Sequence, residues 1–212
     1  MAADRDRGPR RRVDARSSME RITAAGRVVL GTGEGSLEQI AAEAGVGIAT
    51  LYRHFPNREA LVRAVLDDIL ETDLLPLIDR AAESPHPRRS LQDVATRLLD
   101  LITEEKGLVT FASNFTDVAV DALQRFSESL HPLLVRAQRQ GEVREDLTAE
   151  DIPRFLVMAV AGLAIPGTPP SLRARFVALL FDSLNPACAT PLPPLHHEED
   201  DLRSAVSNIA QT

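Results

Sequence analysis

The sequence predicts an all-α chain on three observations. Apolar residues recur at three- and four-residue spacing along its length, and no segment alternates with the two-residue period of a half-buried strand. Glycine, proline and serine cut the chain into helix-sized lengths. Of 212 residues 44% are hydrophobic but only 4% aromatic, the balance of helices packed through Leu, Ala and Val. The chain is long enough for one or two domains with a proper core.

After a basic, flexible tail (residues 1–14), a first helix runs from Ala15 to Leu30 with Ile22, Ala25, Val29 and Leu30 apolar. Gly26 within it costs about 1 kcal/mol against alanine. Beyond the linker Gly31–Gly35, Ser36 stands as an N-cap with Gln39 as its capping-box partner. The second helix ends near Ala44 and gathers Leu37, Ile40, Ala41 and Ala44 on one side. Gly45 makes the turn, because glycine tolerates the left-handed conformation. Val46 plugs the corner, and a third helix follows from Ile48 to Phe55. Leu51 and Phe55 face inward there, leaving Ile48, Ala49, Tyr52 and Arg53 outside. Pro56 stops this helix and Asn57 caps the next.

That fourth helix carries Leu61, Val62, Val65, Leu66, Ile69 and Leu70 past Thr72, with a kink or break at Pro76. Ser84–Arg89 is a loop, and Ser90 caps a helix through Glu105. Gly107 separates it from a short helix, Leu108–Phe115. Asp121–Gln140 follows, with Pro132 inside to bend it and Gly141 to end it. The last helices are Glu150–Ile165, apolar on every side from Phe155 onward, and Ser171–Leu184, apolar over more than one face. A helix wet on one side does not carry such surplus, so the pair either meets a second copy or lies deep in the chain's own core. From residue 186 the chain turns proline-rich and then acidic, and reads as a flexible tail.

Two short helices joined by a glycine turn at residues 36–58 are the layout of a helix-turn-helix. The stretch AAEAGVGIATLYRHFPNREALV resembles the DNA-binding segment of the TetR family of bacterial transcriptional regulators. The resemblance is dense from Ser36 to Leu61 and weaker over the helix before it. TLYRHF followed by proline, a polar residue and a basic one is specific to that family. The resemblance implies a helix-turn-helix DNA-binding domain over residues 15–60 and a helical effector-binding and dimerisation domain over 61–185, about nine helices in all.

It also implies roles within the third helix. Gly47 takes the N-cap where relatives often have serine or threonine, and lets the backbone approach DNA closely. Ile48 and Ala49 offer apolar contact suited to a thymine methyl. Thr50 can reach a phosphate or a base edge. Tyr52 and His54 resemble the family's phosphate-contacting aromatic pair, which fixes position more than sequence. Arg53 can make a bidentate contact to guanine, or equally a phosphate contact or an ion pair with a neighbouring acid. Ser36 with the free amides of its helix suits a phosphate oxygen, as does Arg58.

In the body, the resemblance implies a small-molecule cavity among the middle helices. Candidate lining residues are Phe111, Asn114, Phe115, Phe126, Leu130 and Met158, an apolar set with one amide, each of which also reads as plain core. The resemblance also implies that the final two helices form a four-helix dimer interface, through Phe155, Val160, Leu163, Phe176, Leu180 and Leu184.

The net charge of −7 fits a DNA-binding protein once divided. Residues 1–66 hold 11 Arg against 8 acids, while the remaining 146 hold 13 basic residues against 23 acids, so a head of +3 sits on a body of −10. Arg5, Arg7, Arg10, Arg11 and Arg12 can lie along phosphates, enter the minor groove, or stay solvated. One cysteine, Cys188, excludes an intrachain disulfide and suits a reducing compartment. The polar, arginine-rich N-terminus shows no secretion signal, and the longest apolar run, residues 155–165, is too short to span a bilayer. The expectation is a soluble, cytoplasmic homodimer that binds double-stranded operator DNA and an unknown small-molecule effector.

No cofactor is implied. The five histidines (His54, His86, His131, His196, His197) have no partner spacing for catalysis, and His196 with His197 on a tail make a poor metal site. The rival reading is an all-helical small-molecule or protein-interaction module that binds no DNA. Repression is the family default, and activation stays open.

Overall fold

A computed structural model of the chain describes residues 8–33, 35–105, 107–108, 115–148, 150–163 and 168–193. Among these the chain is helical with no strand. Helix α1 spans Gly8–Gly31, α2 Leu37–Glu43, α3 Ile48–His54 and α4 Arg58–Ile69. A π-helical turn, Leu70–Leu74, joins α4 to α5, Leu75–Ala82. The body continues with α6 (Pro87–Glu104), α7 (Thr116–Arg139), α8 (Asp151–Leu163) and α9 (Pro170–Asp182). A single hydrophobic core runs from Ile22 of α1 to Leu184 after α9, so head and body share one continuous interior.

The head packs α1 across α2 and α4, with α3 against α2. Gly26, costly in an isolated helix, has its reason here. A Cβ at that position would stand 3.1 Å from Val65 Cγ2 and 3.3 Å from Leu61 Cδ1, so the missing side chain lets α1 and α4 cross closely. In the body, α6 packs against α5, α7, α8 and α9, and α7 packs against α4, α5 and α8.

Several boundaries differ from the sequence expectation. Helix α1 begins at Gly8, not Ala15, so part of the expected tail is helical. Arginine is a good helix former and Pro9 falls in the first turn, where its missing N–H costs nothing. Helix α6 begins at Pro87 rather than at a Ser90 cap. Proline again takes the first turn, and Ser90 is buried inside the helix with its hydroxyl donating to the His86 carbonyl at 3.2 Å. Helix α7 starts five residues before Asp121, at Thr116. Pro132 lies within it on the exposed side, and the carbonyl it leaves without a donor belongs to Glu128, also exposed, where water can satisfy it. Of the short helix expected over Leu108–Phe115, residues 109–114 lie outside those described.

The break expected at Pro76 appears two to six residues earlier, as the π turn. Its extra residue widens the backbone ahead of the proline, where the ring would otherwise press on the carbonyl four residues back. The start of the expected C-terminal tail is tied down. Pro186–Cys188 form a 3-10 turn, Arg144 Nη2 donates to the Thr190 carbonyl, and the Leu192 amide donates to Asp146 Oδ2 at 2.9 Å. Arg144 holds Asp146 in turn through two bonds of 2.5 and 2.7 Å. That guanidinium, with the Leu192 amide, keeps the Asp146 carboxyl far below the usual carboxylate range. The described part of residues 186–193 is therefore a strap fixed by one ion pair, which composition does not reveal. His196, His197 and the acids after them lie outside the described residues.

Candidate nucleic-acid interface

The second and third helices are set by caps that close within a few residues. The Ser36 hydroxyl accepts from the Gln39 amide at 3.2 Å, and the Ser36 amide donates to Gln39 Oε1 at 2.8 Å, completing the capping box. At the other end Gly45 adopts φ +63°. Its amide donates to the Ala42 carbonyl at 3.1 Å and the Val46 amide to the Ala41 carbonyl at 2.9 Å. This is the paired 6→1 and 5→2 closure of a Schellman motif, with Val46 half-buried against the core as its apolar contact. Asn57 caps α4, its Oδ1 accepting from the Ala60 amide at 2.8 Å.

These caps present one face of α3 outward. Leu51 is wholly buried and Phe55 nearly so, anchoring the helix. Ile48, Ala49, Tyr52 and Arg53 are exposed, and Thr50 and His54 are half-exposed beside them. Gly47 caps α3 at φ −72°, a conformation open to any residue, and a Cβ there would touch nothing within 4 Å. The glycine is thus not demanded by the fold; it leaves the N-terminus of α3 bare. The residues predicted to read or position DNA on this helix do share one exposed surface.

Arg53 is folded back along its own helix. Its Nε donates to the Ala49 carbonyl at 3.1 Å and its Nη2 to Thr50 Oγ1 at 3.0 Å. The guanidinium therefore lies over the front of α3, beside the apolar Ile48 and Ala49, and Thr50 acts as its rest. Among the described residues Arg53 makes no ion pair with a neighbouring acid. The His54 ring leans on Phe55, with centroids 6.4 Å apart and planes tilted by 48°.

Two predicted phosphate contacts sit differently from the sequence expectation. Arg58 is half-buried and donates to the Gly35 carbonyl, binding the start of α4 to the residue just before the Ser36 cap. It shapes the N-terminus of α2 instead of extending into solvent. That N-terminus is itself occupied by Glu38. Its carboxyl is held below the ordinary glutamate range by its own backbone amide first, then by the Ser36 hydroxyl and the charge of Arg58. An incoming phosphate would meet a carboxylate beside the Glu38 amide and the Ser36 hydroxyl. Position in the motif could not reveal this, because Glu38 reads as an ordinary first-turn acid.

Among the described residues, the expected effector lining is in part packed and in part exposed. Phe126 and Leu130 are buried in the core of α7, and Phe115 packs half-buried against it. Met158 is 65% exposed, on the outward side of α8, and lines no interior. Phe111 and Asn114 lie outside the described residues. The void between α6, α8 and α9, bordered by Leu98, Phe155, Val177 and Phe181, measures about 10 Å³, room for one water at most.

The apolar surplus of the last helices is real but faces elsewhere than expected. Leu184 is buried, Leu180 is half-buried on the core, and Phe155 meets Phe181 of the same chain edge-on at 6.1 Å. Val160 and Leu163 have side chains outside those described. Helix α9 carries two stripes at i, i+4, i+7: Val177, Phe181 and Leu184 face the core, while Leu172, Phe176 and Leu179 are 41%, 44% and 54% exposed. Of the residues proposed for an interface, Phe176 alone is exposed with its side chain described, and Met158, Leu172 and Leu179 join it.

Among the described residues no group of three or more His, Cys, Asp or Glu is placed to hold a metal ion, and no helix is long and apolar enough to cross a membrane. Residues 22–65 match the family model described as "Bacterial regulatory proteins, tetR family", and residues 87–186 match that described as "Transcriptional regulator SbtR-like, C-terminal domain". A TetR transcriptional regulator from Streptomyces coelicolor is 28% identical and superimposes with a TM-score of 0.59, over 80% of this chain and 99% of that one. A TetR regulatory protein from Mycobacterium vanbaalenii is 27% identical with a TM-score of 0.58, over 82% and 98%. FadR from Bacillus subtilis, solved in complex with stearoyl-CoA, shares the fold at 14% identity with a TM-score of 0.62, over 78% and 97%. No curated protein matched the chain.

Proposed function

This chain belongs to the TetR family of bacterial transcriptional regulators, and we propose that it is a repressor that binds a palindromic operator as a homodimer and is released by a small-molecule effector. Members of the family are non-enzymatic transcription factors, so the absence of a catalytic constellation in the sequence needs no other account. The observation that carries the reading is the outward face of α3, where Ile48, Ala49, Tyr52 and Arg53 stand exposed on a helix anchored by Leu51 and Phe55. Apolar groups at the front, an arginine lying over them and an aromatic hydroxyl behind supply methyl contact, polar readout and phosphate positioning in one row.

The dimer reading is supported by the exposed stripe of Leu172, Phe176 and Leu179 and by exposed Met158. A second copy applied across a two-fold axis would bury the stripe against itself. The two copies of α3 would then meet successive major grooves roughly 34–36 Å apart. The +3 head on a −10 body directs the DNA to one end of such a dimer. Acting on DNA, the protein works in the cytoplasm.

The effector reading is supported by the fold it shares with FadR, which was solved holding stearoyl-CoA. Phe126 and Leu130 are packed in the core, and the void between α6, α8 and α9 is about 10 Å³, so an effector entering there would have to displace core side chains.

Selection of random duplexes by the purified full-length protein tests the whole reading, repeated with cell extract as a source of effector. An enriched palindrome, bound with an affinity that falls steeply as salt rises and weakens with extract, is the expected result. Binding of a single half-site by a monomer would remove the dimer, and no salt-dependent duplex binding would leave the non-DNA helical module in its place.

A further inference from the structure

The body is acidic as a whole, yet one cleft on it is basic. It is lined by His86, Arg88 and Arg89 with a single carboxylate, Glu142, and one amide, Asn185. Its volume is about 440 Å³, within the span of small-molecule pockets. It lies at the start of α6, an 18-residue helix about 27 Å long, whose other end is held by Arg27 of α1 through Glu105 at 2.8 Å. The cleft is thus at the end of α6 remote from the head. None of the residues expected to line an effector cavity borders it.

The walls of the cleft are fixed from several sides. Arg136 of α7 donates to the Ala82 and Ser84 carbonyls, and the His86 amide donates to Ser84 Oγ at 3.2 Å, so the loop before α6 is held. The Arg144 amide donates to the Leu184 carbonyl at 2.9 Å, joining the segment of Glu142 to that of Asn185. Asn185 Oδ1 accepts from the Ala187 amide at 3.1 Å, which leaves the NH2 group of the same side chain to donate elsewhere.

The helix terminus itself is already taken. The Arg88 amide donates to Glu142 Oε2 at 3.0 Å, and Pro87 brings no N–H. What the cleft offers a ligand is therefore its side chains. Arg88 is half-buried, and its Nη1 is closed to solvent with no acceptor among the described residues. That is a costly state for a charged donor, and an incoming oxygen would relieve it. Arg89 is exposed, and His86 has Nδ1 3.7 Å from Glu142 Oε1, too far for a hydrogen bond. Three basic groups against one carboxylate attract an anion, and the positive end of the α6 dipole adds to them. Successive residues of a helix diverge by about 100°, so Arg88 and Arg89 reach an anion from different directions. A tetrahedral phosphate has oxygens for donors so arranged, whereas a carboxylate takes two in one plane.

We propose that this cleft binds a phosphate-bearing small molecule, with Arg88 and Arg89 on the phosphate oxygens and the Asn185 amide and His86 beside them. The site is separate from the DNA-reading face, and its occupation is measured without DNA, so its failure and that of the DNA reading are distinguishable.

The test titrates the full-length protein by calorimetry, at constant ionic strength, with inorganic phosphate, adenosine monophosphate, adenosine and succinate. The expected result is saturable binding of one or both phosphates that raises Tm, roughly ten-fold or more tighter than adenosine or succinate. Arg88→Met and Arg89→Met should each weaken it roughly ten-fold. Glu142→Gln, which keeps an acceptor for the Arg88 amide and removes the internal charge, should tighten it. Arg16→Met, which removes the same charge from an exposed arginine of α1, should leave it unchanged. Arg89 is exposed, so its variant decides the matter if Arg88→Met fails to fold. The same probes are titrated into a form with Glu198 and Glu199 changed to Gln and Asp200 and Asp201 to Asn, which removes the chain's own run of acids as a competitor. Three results would overturn the site: no saturable phosphate binding by either form, equal losses in Arg16→Met and Arg89→Met, or succinate bound as tightly as the phosphates.

Discussion

In the head, each turn from α2 to α4 is closed by residues within five positions of one another: Ser36 with Gln39, Val46 with Ala41, Asn57 with Ala60. In the body the joints span half a domain. Arg136 of α7 donates to the Ser84 carbonyl 52 residues away, Arg63 pairs with Asp121 across 58, and Arg173 of α9 reaches Asp100 of α6 across 73. The turns of the head are specified locally, although its core is continuous with that of the body. The body is specified by its own long-range pairs and leaves the apolar stripe of α9 exposed. Mutations that act on one kind of specification should leave the other intact, and four changes put that to the test.

The largest effect is expected at Leu51. It has no exposed surface, and the small head has few other side chains to fill its place. Leu51→Ala should cost about 2–5 kcal/mol of head stability. Duplex binding should fall with it, while the oligomeric state in sedimentation stays unchanged. Loss of assembly together with the head would mean that the two regions fold as one unit, against the comparison.

Next in size is Leu179→Glu, the mirror experiment. On an isolated chain this residue is 54% exposed and a charge there is harmless. In a dimer that buries the stripe, the change should weaken association by about 2–4 kcal/mol, in the range of an interface anchor. Sedimentation would then show monomers with native helical content and intact half-site binding. An unchanged dimer would put the interface elsewhere.

The same division explains what the sequence discloses. The capping box, the left-handed Gly45, and the stop at Pro56 before Asn57 are all short-range chemistry, and the structure carries each where the residues imply it. Ser90 is misleading because a proline three residues earlier outranks it as a helix start. On α9 the periodicity shows too much apolar surface but cannot say which of two adjacent stripes the chain keeps for its own core. Of the residues read as interface, Leu184 is buried and Leu180 half-buried against the chain's own core, while Leu172 and Leu179 on the neighbouring stripe stand exposed. Arg58 and Arg27 show the limit for charged residues. Both are arginines of a basic head, and only tertiary structure reveals that one binds a backbone carbonyl and the other joins the body.

A third and smaller effect separates the ways Arg53 can work. Its guanidinium rests on Thr50 and the Ala49 carbonyl over the apolar front of α3, a posture from which a guanine edge or a phosphate is within reach. Arg53→Ala should cost about 1–3 kcal/mol of operator binding and relax preference at one base pair. A loss that is equal on every operator variant would assign Arg53 to phosphate. In that case sequence preference would depend on the methyl contacts of Ile48 and Ala49 and on DNA shape.

The smallest effect is the one that most sharpens the view of the head's turns as locally specified. The Glu38 carboxylate stands at the start of α2, beside its own N–H and the Ser36 hydroxyl, where a DNA phosphate is expected. The carboxylate completes the helix in the free protein and must move aside, or share the site at a cost in repulsion, when DNA arrives. Glu38→Gln keeps the shape and removes the charge, so it should strengthen binding a few-fold for every sequence alike. The gain should shrink as salt rises, since it comes from relieved repulsion between charges near the surface. Weaker binding in the variant would mean that the carboxylate organises the N-terminus of α2 more than it obstructs it. Local capping would then contribute to DNA affinity through structure and not through charge.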